Sequence, residues 1–374
     1  MAVLPLEGLL VIAVEQAVAA PFCTSRLADA GARVVKIERP TGDFARGYDA
    51  VANGQSSYFV WLNRGKESLV LDLAQPEQRK QLQELILQAD ILVQNLKPGA
   101  MARMGLAPVD MRALNPRLIT CSISGYGDTG PMADRKAYDL LIQAESGLAS
   151  ITGGSEGPSR VGISLVDIAT GATAHAALLE ALIRRGITGE GVDIQVSMFD
   201  VMADWMTVPL LQAEGGKAPG RVGLAHPSIA PYSAFASGDG DLFLISVQSE
   251  REWVAFCRDF IGQPDLPQDP RFHTNVARVA HRSETDQVTA EAFAAKSSQQ
   301  VVAALTQADI AFARVNDMTA LSTHQHLRRI TVDTPHGKVA YPAPAAMFSD
   351  GERAYRPVPP VGGNSDNSDD SGHA

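Results

Sequence analysis

The sequence predicts an α/β protein whose larger part is a mainly parallel, Rossmann-like sheet. Apolar runs of strand length alternate with helical segments in the first half of the chain, over residues 8–14, 33–38, 68–73, 90–95 and 117–123. Buried strands that alternate with helices indicate right-handed crossovers and a sheet covered on both faces. A chain of 374 residues, 45% of them hydrophobic, is long enough for a large core and for more than one domain.

The helices predicted in this half have recognisable ends. Pro21 stands where the first turn of a helix tolerates proline, so residues 22–30 form the first predicted helix, and Gly31 closes it. Residues 76–87 have the apolar spacing of a second helix. Because ligands collect at the carboxyl ends of parallel strands, the site is expected in the loops at residues 15–21, 38–43, 95–99 and 124–131.

Residues 161–171 are the stretch expected to carry the chemistry. A strand-like apolar run delivers a single carboxylate, Asp167, and Gly171 then opens a helix rich in alanine and leucine that continues to Arg185. A carboxylate at such a junction suits nucleophilic work, because neighbouring backbone N–H groups can keep it ionised. The local pattern alone favours a helix-capping role for Asp167. A further strand is predicted over residues 192–197.

The second part of the chain has mixed α+β character. Residues 198–212 are predicted to form a helix, and residues 231–237 and 238–247 two strands joined by a tight turn. Further helices are expected around residues 252–260, 283–295 and 299–307. We therefore divide the chain into a large domain (1–200), a small α+β domain (201–311), a return segment that packs on the large domain (312–361) and a disordered tail rich in Gly, Asn, Ser and Asp (362–374).

Composition argues against several classes of protein. The net charge of −10 argues against nucleic acid or an anionic membrane as the main partner. Three widely spaced cysteines build neither a disulfide framework nor a CxxC metal site, and no metal is expected. No lysine or arginine precedes the first apolar run, so it is expected to be a buried strand of a cytoplasmic protein rather than a signal peptide. No GxGxxG motif follows that strand, which weakens a dinucleotide-dehydrogenase interpretation.

Several short segments of the first 200 residues carry a family pattern. They are Ala19-Ala-Pro-Phe-Cys-Thr24, Arg33-Val-Val-Lys-Ile-Glu-Arg39, Asn63-Arg-Gly-Lys-Glu-Ser68, Asn95-Leu-Lys-Pro-Gly-Ala-Met-Ala-Arg-Met104, Asn115-Pro-Arg-Leu-Ile119, Ser124-Gly-Tyr-Gly-Asp-Thr-Gly-Pro131, Asp167 with Thr170-Gly171, and Thr188-Gly-Glu-Gly191. In this order and spacing they resemble the class III CoA-transferases, the family of formyl-CoA transferase and carnitine CoA-transferase. The match continues more loosely through residues 226–232. Each segment alone is weak, whereas the ordered combination is specific.

The resemblance implies an architecture and a reaction. In the family each subunit folds as an open ring, and two rings interlock into a homodimer. A single aspartate, which falls on Asp167, attacks the thioester of the acyl-CoA donor to give a mixed anhydride, and the released thiolate then forms an aspartyl-CoA thioester. The acceptor acid takes the CoA through a second anhydride. Such covalent catalysis conserves the free energy of the thioester, and it implies a CoA thioester as substrate with no tightly bound cofactor.

The resemblance also implies binding residues. Contacts to CoA carry over to Ala19, Arg39, Asn95, Lys97, Arg103, Met104 and Lys136, since cations and loop amides suit the phosphates of a nucleotide. Taken singly, Arg39, Arg103 and Lys136 are explained as solvated surface charges, whereas their shared location at strand ends and the motif match favour contact with the ligand. Substrate or supporting roles carry over to Val18, Arg46, Tyr138, Asp139, Gly215, Gly216 and His226. Residues 215–220 match a glycine loop that shields the acyl-enzyme from water.

The acceptor acid is suggested by two features of the sequence. Val18 stands where formyl-CoA transferase carries an active-site glutamine, which indicates an acceptor other than oxalate. Separately, Ala74 replaces an expected lysine, so the CoA site has one cation fewer than in the family pattern. Residues 14–21 and 42–49 resemble members that use succinyl-CoA with C4–C5 dicarboxylates such as itaconate, mesaconate, malate or citramalate. Arg46 could pair with the distal carboxylate of such an acid, and a surface ion pair explains it equally well.

Two alternatives remain open at this point. The related 2-methylacyl-CoA racemases use a Gly-His-Asp segment whose histidine pairs with the equivalent aspartate. Here the segment is Ala137-Tyr138-Asp139, so one half of a two-base proton shuttle is missing and a transferase is favoured. The second alternative is a CoA-binding protein without catalytic activity, against which Asp167 and the glycine loop argue.

Overall fold

The computed structural model describes residues 4–349, 351 and 353–363, and the chain divides into two compact units. The first unit contains the described residues of Met1–Leu148, Arg160–Val208 and Arg328–Ala374, and the second contains Ala149–Ser159 and Pro209–Leu327. These bounds differ from the predicted ones. The second unit begins later than residue 201, extends beyond residue 311 and includes a short stretch from the first half of the chain.

A six-stranded sheet in which all neighbouring strands are parallel forms the centre of the first unit. Its strands are β1 (Leu10–Val14), β2 (Arg33–Glu38), β3 (Lys66–Val70), β4 (Ile91–Gln94), β5 (Ile119–Ser124) and β6 (Asp193–Ser197). The spatial order β3-β2-β1-β4-β5-β6 changes direction between β1 and β4. The loops after these two strands therefore flank the crevice in which such sheets bind ligands. The predicted Rossmann-like parallel sheet is confirmed.

The helices cover the sheet and build much of the rest of the chain. In chain order they are α1 (Ala19–Asp29), α2 (Ser57–Asn63), α3 (Pro76–Gln88), α4 (Ala100–Arg103), α5 (Pro108–Leu114), α6 (Asp139–Glu145), α7 (Leu148–Ile151), α8 (Leu165–Thr188), α9 (Met198–Trp205), α10 (Thr207–Glu214), α11 (Glu250–Ala255), α12 (Asn275–Ala280), α13 (Arg282–Ala294), α14 (Ser298–Gln307) and α15 (Met318–Ser322). The single helix predicted over residues 198–212 is split into α9 and α10. The break follows from Pro209, which has no N–H to bond the carbonyl of residue 205.

Asp167 lies inside a helix and not at the end of a strand, which corrects the sequence prediction. Residues 161–164 form no strand, and α8 begins at Leu165, so Asp167 is its third residue. The helix can begin there because the Asp139 side chain accepts hydrogen bonds from the backbone N–H groups of Val166 (2.7 Å) and Asp167 (3.2 Å). These N–H groups have no partner within the helix itself.

Helix α8 packs closely against α1. A Cβ at Gly171 would lie 2.4 Å from the carbonyl oxygen of Ala19 and 2.9 Å from the Cβ of Phe22, so only glycine permits this approach. By length and composition α8 could also cross a membrane, as a long core helix often could. Its residues Ala174 and Leu178 are buried in the core of the first unit.

The second unit has its own sheet and core. Strands β7 (Tyr232–Ala236) and β8 (Leu242–Ser246) form the predicted antiparallel pair, and β9 (Ala311–Arg314) adds a third strand beside β8. Because β9 belongs to this sheet, the chain cannot leave the second unit at residue 311. The core beside the sheet is largely aromatic and contains Phe235, Phe243, Trp253, Phe256, Phe260, Phe272 and Phe293.

The chain returns to the first unit after Leu327. Strands β10 (Arg329–Thr334) and β11 (Gly337–Pro342) form an antiparallel hairpin. Further on, the Ser68 N–H of edge strand β3 donates to the Gly363 carbonyl (2.9 Å), and the Gly362 N–H donates to the Ser68 hydroxyl (3.0 Å). The first two residues of the predicted disordered tail therefore pair with the sheet edge, and residues 364–374 lie outside the described part of the chain.

Candidate active site

A cavity of about 730 Å³ opens at the carboxyl ends of the strands in the first unit. Its wall combines the loops after β1, β4 and β5 with residues at the starts of α1, α6 and α8. This is the crevice that the change in strand order predicts. The loops predicted from the sequence as ligand-binding are therefore largely the ones that line it.

Asp167 contributes a half-buried carboxyl group to this cavity. Burial, and in second place the nearby charge of Asp139, raise the pKa of Asp167 to about 7. The expectation that backbone N–H groups would keep Asp167 ionised is therefore wrong. The N–H groups of Val166 and Asp167 bond to Asp139 and are not directed at the Asp167 carboxyl. At neutral pH this group is divided between its protonated and ionised forms.

Asp139 is the residue that fixes Asp167. One of its carboxylate oxygens caps the first turn of α8, while the other accepts a hydrogen bond from the buried Gln143 side chain (Nε2 to Oδ2, 2.7 Å). The Oε1 atom of Gln143 accepts the Val161 N–H (2.9 Å). A continuous hydrogen-bond chain therefore joins the segment before α8 to α6 and to the start of α8.

The loop after β1 is held in a strained conformation beside the cavity. Ala17 has a φ of +63°, a region that residues with a side chain rarely adopt. The Asn95 side chain bonds both backbone groups of Gln16, accepting its N–H (2.9 Å) and donating to its carbonyl (2.8 Å). The Ala17 N–H bonds Asp43 (3.3 Å). These long-range bonds hold the strained turn and place Val18 and Ala19 in the cavity wall.

A buried ion network lies directly behind this loop. The Glu15 carboxylate accepts bonds from Lys66 Nζ (2.7 Å) and from the Thr24 hydroxyl (2.6 Å), and Lys36 Nζ bonds Asp43 (2.8 Å). The side chains of Glu15, Lys36 and Lys66 have no exposure to solvent. Burial raises the pKa of Glu15, but the charges of Lys66 and Lys36 outweigh burial and hold that pKa below its ordinary value.

Comparison with known proteins identifies the family. The model of CoA-transferase family III matches residues 6–365. The chain belongs to this family. It is therefore a CoA-transferase, and the resemblance drawn from the sequence is confirmed.

The relatives of this CoA-transferase share most of its length. The succinyl-CoA:glutarate CoA-transferase of Mus musculus is 33% identical over 366 residues, covering 96% of this chain and 84% of the relative. The acetyl-CoA:oxalate CoA-transferase of Acetobacter aceti is 42% identical over 281 residues, covering 74% and 72%. The crystal structure of a CAIB/BAIF family protein from Brucella suis superposes with a TM-score of 0.80 at 33% identity, over 94% of each chain.

Five of the seven residues assigned to CoA contact line the cavity of the CoA-transferase. They come from the start of α1, from the loop after β4 with α4, and from the segment before α6, and they are Ala19, Asn95, Lys97, Arg103 and Lys136. Lys97, Arg103 and Lys136 are exposed cations, available to an anionic ligand. The sequence therefore found three of the five cations that line the cavity and missed Arg135 and Arg160.

Arg39 and Met104 do not line the cavity. An Arg39 Nη atom donates to the Gln16 side chain (2.8 Å), and the guanidinium lies 5.8 Å from the ring centroid of Phe44, so Arg39 supports two residues of the cavity wall from outside. Met104 packs with the apolar cluster around Leu92 and Leu106. Direct CoA contact by these two side chains has no support from the cavity.

Arg46 occupies a different position from the one expected. Its guanidinium binds both carboxylate oxygens of Glu38 (2.6 and 2.9 Å) and lies 3.6 Å from the ring centroid of Phe59. It does not line the cavity. Because its charge is already neutralised by a buried carboxylate, the structure favours the ion-pair alternative for Arg46 over pairing with a substrate carboxylate.

The remaining supporting residues fall into two groups. Val18, Tyr138 and Asp139 line the cavity of the first unit. Gly215, Gly216 and His226 belong to the second unit. There the two glycines follow α10, and the His226 ring stacks on Tyr232 with centroids 5.2 Å apart.

Sequence reasoning missed an aromatic wall of the cavity. Phe44, Tyr48 and Tyr58 line it together, with ring centroids 5.7 Å apart for the first pair and 5.5 Å for the second. The Tyr58 hydroxyl lies 3.3 Å from the hydroxyl of Ser164, another lining residue. Burial, with the charges of Asp43 and Asp167, raises the pKa of Tyr48 to about 12. The available signal was the pair of aromatic residues four apart in the segment after β2.

Proposed function

We propose that this CoA-transferase moves CoA from succinyl-CoA to a C4–C5 dicarboxylic acid, with Asp167 as the nucleophile. The observation that carries the proposal is the Asp167 carboxyl group in a cavity that it shares with Lys97, Arg103 and Lys136. The cavity thus offers one nucleophilic carboxylate together with cations for the phosphates of CoA. A relative that transfers CoA from succinyl-CoA to glutarate supports this donor and this class of acceptor.

The proposed reaction has four steps, in which each bond broken is matched by one formed. The ionised Asp167 carboxylate attacks the thioester carbonyl of the donor, the C–S bond breaks, and a mixed anhydride and CoA thiolate result. The thiolate attacks the Asp167 carbonyl and releases succinate, leaving an aspartyl-CoA thioester. The acceptor carboxylate attacks that thioester, the C–S bond breaks, and a second anhydride and the CoA thiolate result. The thiolate then attacks the acceptor carbonyl, so acceptor-CoA leaves and the Asp167 carboxylate is restored.

The electrostatics of Asp167 support this role. A carboxylate with a pKa near 7 is a better nucleophile than an ordinary one, yet enough of it remains ionised at neutral pH. The half-buried site also limits the access of water, which would hydrolyse the anhydride and thioester intermediates. The glycines Gly215 and Gly216 are proposed to assist this exclusion, and His226 to support the substrate.

Assembly and location are part of the same proposal. We infer an interlocked homodimer from the family resemblance. The exposed apolar side chains Ile183 and Ile187, four residues apart on α8 and 68% and 81% exposed, support a covering partner. A cytoplasmic location is supported by Cys23, Cys121 and Cys257, which are free and buried thiols.

The test compares the wild type with Asp167→Ala. Each is incubated with succinyl-CoA and a panel containing glutarate, mesaconate, itaconate, malate and citramalate, and new CoA thioesters are followed by mass spectrometry. We expect the wild type to form one of these thioesters and Asp167→Ala to form none, because the nucleophile is missing. Hydroxylamine should trap the wild-type acyl-enzyme at Asp167 as a hydroxamate.

Transfer that persists in Asp167→Ala would overturn the assignment of the nucleophile. If the wild type instead exchanges the α-proton of a 2-methylacyl-CoA with solvent and transfers nothing, the proposed transfer is wrong and a racemase replaces it. Tyr138 in place of a histidine makes that outcome unexpected, because a phenol is a much weaker base.

A further inference from the structure

Five cations line the cavity, and they differ in whether they already have a carboxylate partner. Arg135 is paired with Glu145 (2.8 Å). Arg160 forms no ion pair with any carboxylate among the residues that the structure describes. Its Nε atom donates to the Val161 carbonyl (3.1 Å), which fixes one edge of the guanidinium and leaves the other edge for a ligand. Lys97, Arg103 and Lys136 complete the set.

Hydrogen bonds through Gln143 and Asp139 connect the backbone next to Arg160 with the start of the helix that carries Asp167. The Val161 N–H, next to Arg160, bonds Gln143 (2.9 Å), and Gln143 bonds one oxygen of Asp139 (2.7 Å). The other oxygen of Asp139 caps Val166 and Asp167. The segment between Arg160 and Asp167 is therefore anchored at one end to Gln143 and at the other to Asp139, and these two residues bond each other, so the backbone positions of the cation and the carboxyl group are fixed relative to each other.

We propose that Arg160 binds the distal carboxylate of the dicarboxylic acid that accepts CoA, an inference that rests on the proposed function. One carboxylate of the acceptor must reach Asp167, so the second must lie a few bonds away inside the same cavity. A guanidinium with a free edge matches a carboxylate in shape and charge. Arg46, which the sequence suggested for this role, is already bound to Glu38.

Three other cations of the cavity have no ion pair with a carboxylate in the described part of the chain, and they are less suited to this position. Lys97 and Arg103 lie in the loop after β4 and in α4, and Lys136 lies in the segment before α6. Arg160 is in the chain segment that leads directly into the helix of Asp167. We therefore assign Arg160 to the acyl end of the substrate and the other three cations to the phosphates of CoA.

The same arginine should act on the donor. The succinyl group carries a distal carboxylate, and donor and acceptor acyl groups take turns at Asp167 in the proposed reaction. Arg160 therefore selects succinyl-CoA over acetyl-CoA and glutarate over pentanoate, the monocarboxylate with the same number of carbons. Its effect is confined to substrates with a second carboxylate.

The test measures KM and kcat for these four substrates in the wild type, Arg160→Met and Arg160→Lys. We expect Arg160→Met to lower kcat/KM for glutarate and succinyl-CoA by about tenfold or more, mainly through KM, and to change pentanoate and acetyl-CoA by less than about threefold. Arg160→Lys should recover part of the loss. The matched control is Arg135→Met, which removes a lining arginine that is already paired and should leave the preference for dicarboxylates in place.

Two results would overturn the inference while leaving the proposed function intact. An equal loss for all four substrates would show that Arg160 contacts the CoA part. Unchanged KM and kcat for all four substrates in Arg160→Met would show that it contacts neither end. A wild-type enzyme that transfers CoA from neither donor would overturn the proposed function itself, and the inference with it.

Discussion

At the scale of single residues, the chemistry of this CoA-transferase depends on two neighbouring carboxyl groups with different tasks. Both carboxylate oxygens of Asp139 already accept hydrogen bonds, from Val166, Asp167 and Gln143, so Asp139 is a positioning residue. Asp167 makes no such contribution to the helix, and burial raises its pKa to about 7. Asp139 therefore provides structural support and Asp167 the reactive group, because their different environments give two carboxyl groups different properties.

This division predicts the pH dependence of the reaction. The attacking form of Asp167 is the carboxylate, so kcat/KM should fall as the pH decreases below about 7 and level off above it. Asp139→Asn removes the second cause of the raised pKa but leaves burial, the first cause. We therefore expect the acid limb of the profile to move to lower pH in Asp139→Asn. The measurement is kcat/KM between pH 5 and 9 with a fixed donor.

A helix-stability effect alone would give a different result for this variant. If Asp139 only capped α8, the substitution would lower the melting temperature and the amplitude of kcat/KM without moving the position of the acid limb. The wild type and Asp139→Asn are therefore compared by both readouts.

At the scale of elements, the site depends on the contact between α1 and α8. Both helices begin at the cavity, with Ala19 at the start of one and Asp167 in the first turn of the other. Gly171 allows α8 to approach the first turn of α1, because its missing side chain leaves room for the Ala19 carbonyl. The distance between Asp167 and the loop after β1 is therefore set by one glycine.

Gly171→Ala should disturb this contact. The added Cβ would lie 2.4 Å from a backbone oxygen, so the helices must move apart, at a cost of roughly 1–3 kcal/mol in the free energy of unfolding and with a loss of activity. Gly186→Ala, on the same helix with nothing within 4 Å of the added Cβ, is the matched control and should be neutral or stabilise by up to about 1 kcal/mol. Chemical denaturation of both variants gives the comparison, and equal effects would contradict the argument.

At the scale of the first unit as a whole, buried charges connect parts of the chain that are far apart in sequence. The Glu15, Lys36, Asp43 and Lys66 network joins the ends of β1 and β2, the start of β3 and the first turns of α1. The charges of its two anions, Glu15 and Asp43, cancel those of its two cations, Lys36 and Lys66. The network supports the strained Ala17 turn, and through it the cavity wall.

Removing one charge of the Glu15–Lys66 pair should destabilise the fold more than removing both charges together. Lys66→Met leaves the Glu15 carboxylate buried without its closest cationic partner, and we expect a loss of roughly 3–5 kcal/mol in the free energy of unfolding. Glu15→Gln combined with Lys66→Met should lose clearly less than the two single variants added together. The free energies of unfolding of the wild type, the two single variants and the double variant, measured by urea denaturation, give the double-mutant cycle. Additive losses would mean that the two charges do not depend on each other.

The periodicity of the sequence was enough to predict the sheet, and the order of the motifs was enough to identify the family. Alternating apolar runs report local burial, which the chain carries residue by residue. The end of the strand-like run before α8 could not be predicted this way. The helix begins at Leu165 because Asp139, far away in sequence, accepts its first N–H groups.

The tertiary structure alone decided what each charged residue does. Arg46 and Arg160 are both arginines outside the α-helices and strands, yet Glu38 neutralises the first and no described carboxylate pairs with the second. The raised pKa of Asp167 could likewise not be predicted from the sequence, because desolvation depends on everything packed around the carboxyl group. Sequence determines which residues are present and in what order. Burial and partners at long range determine which of them remain free to act.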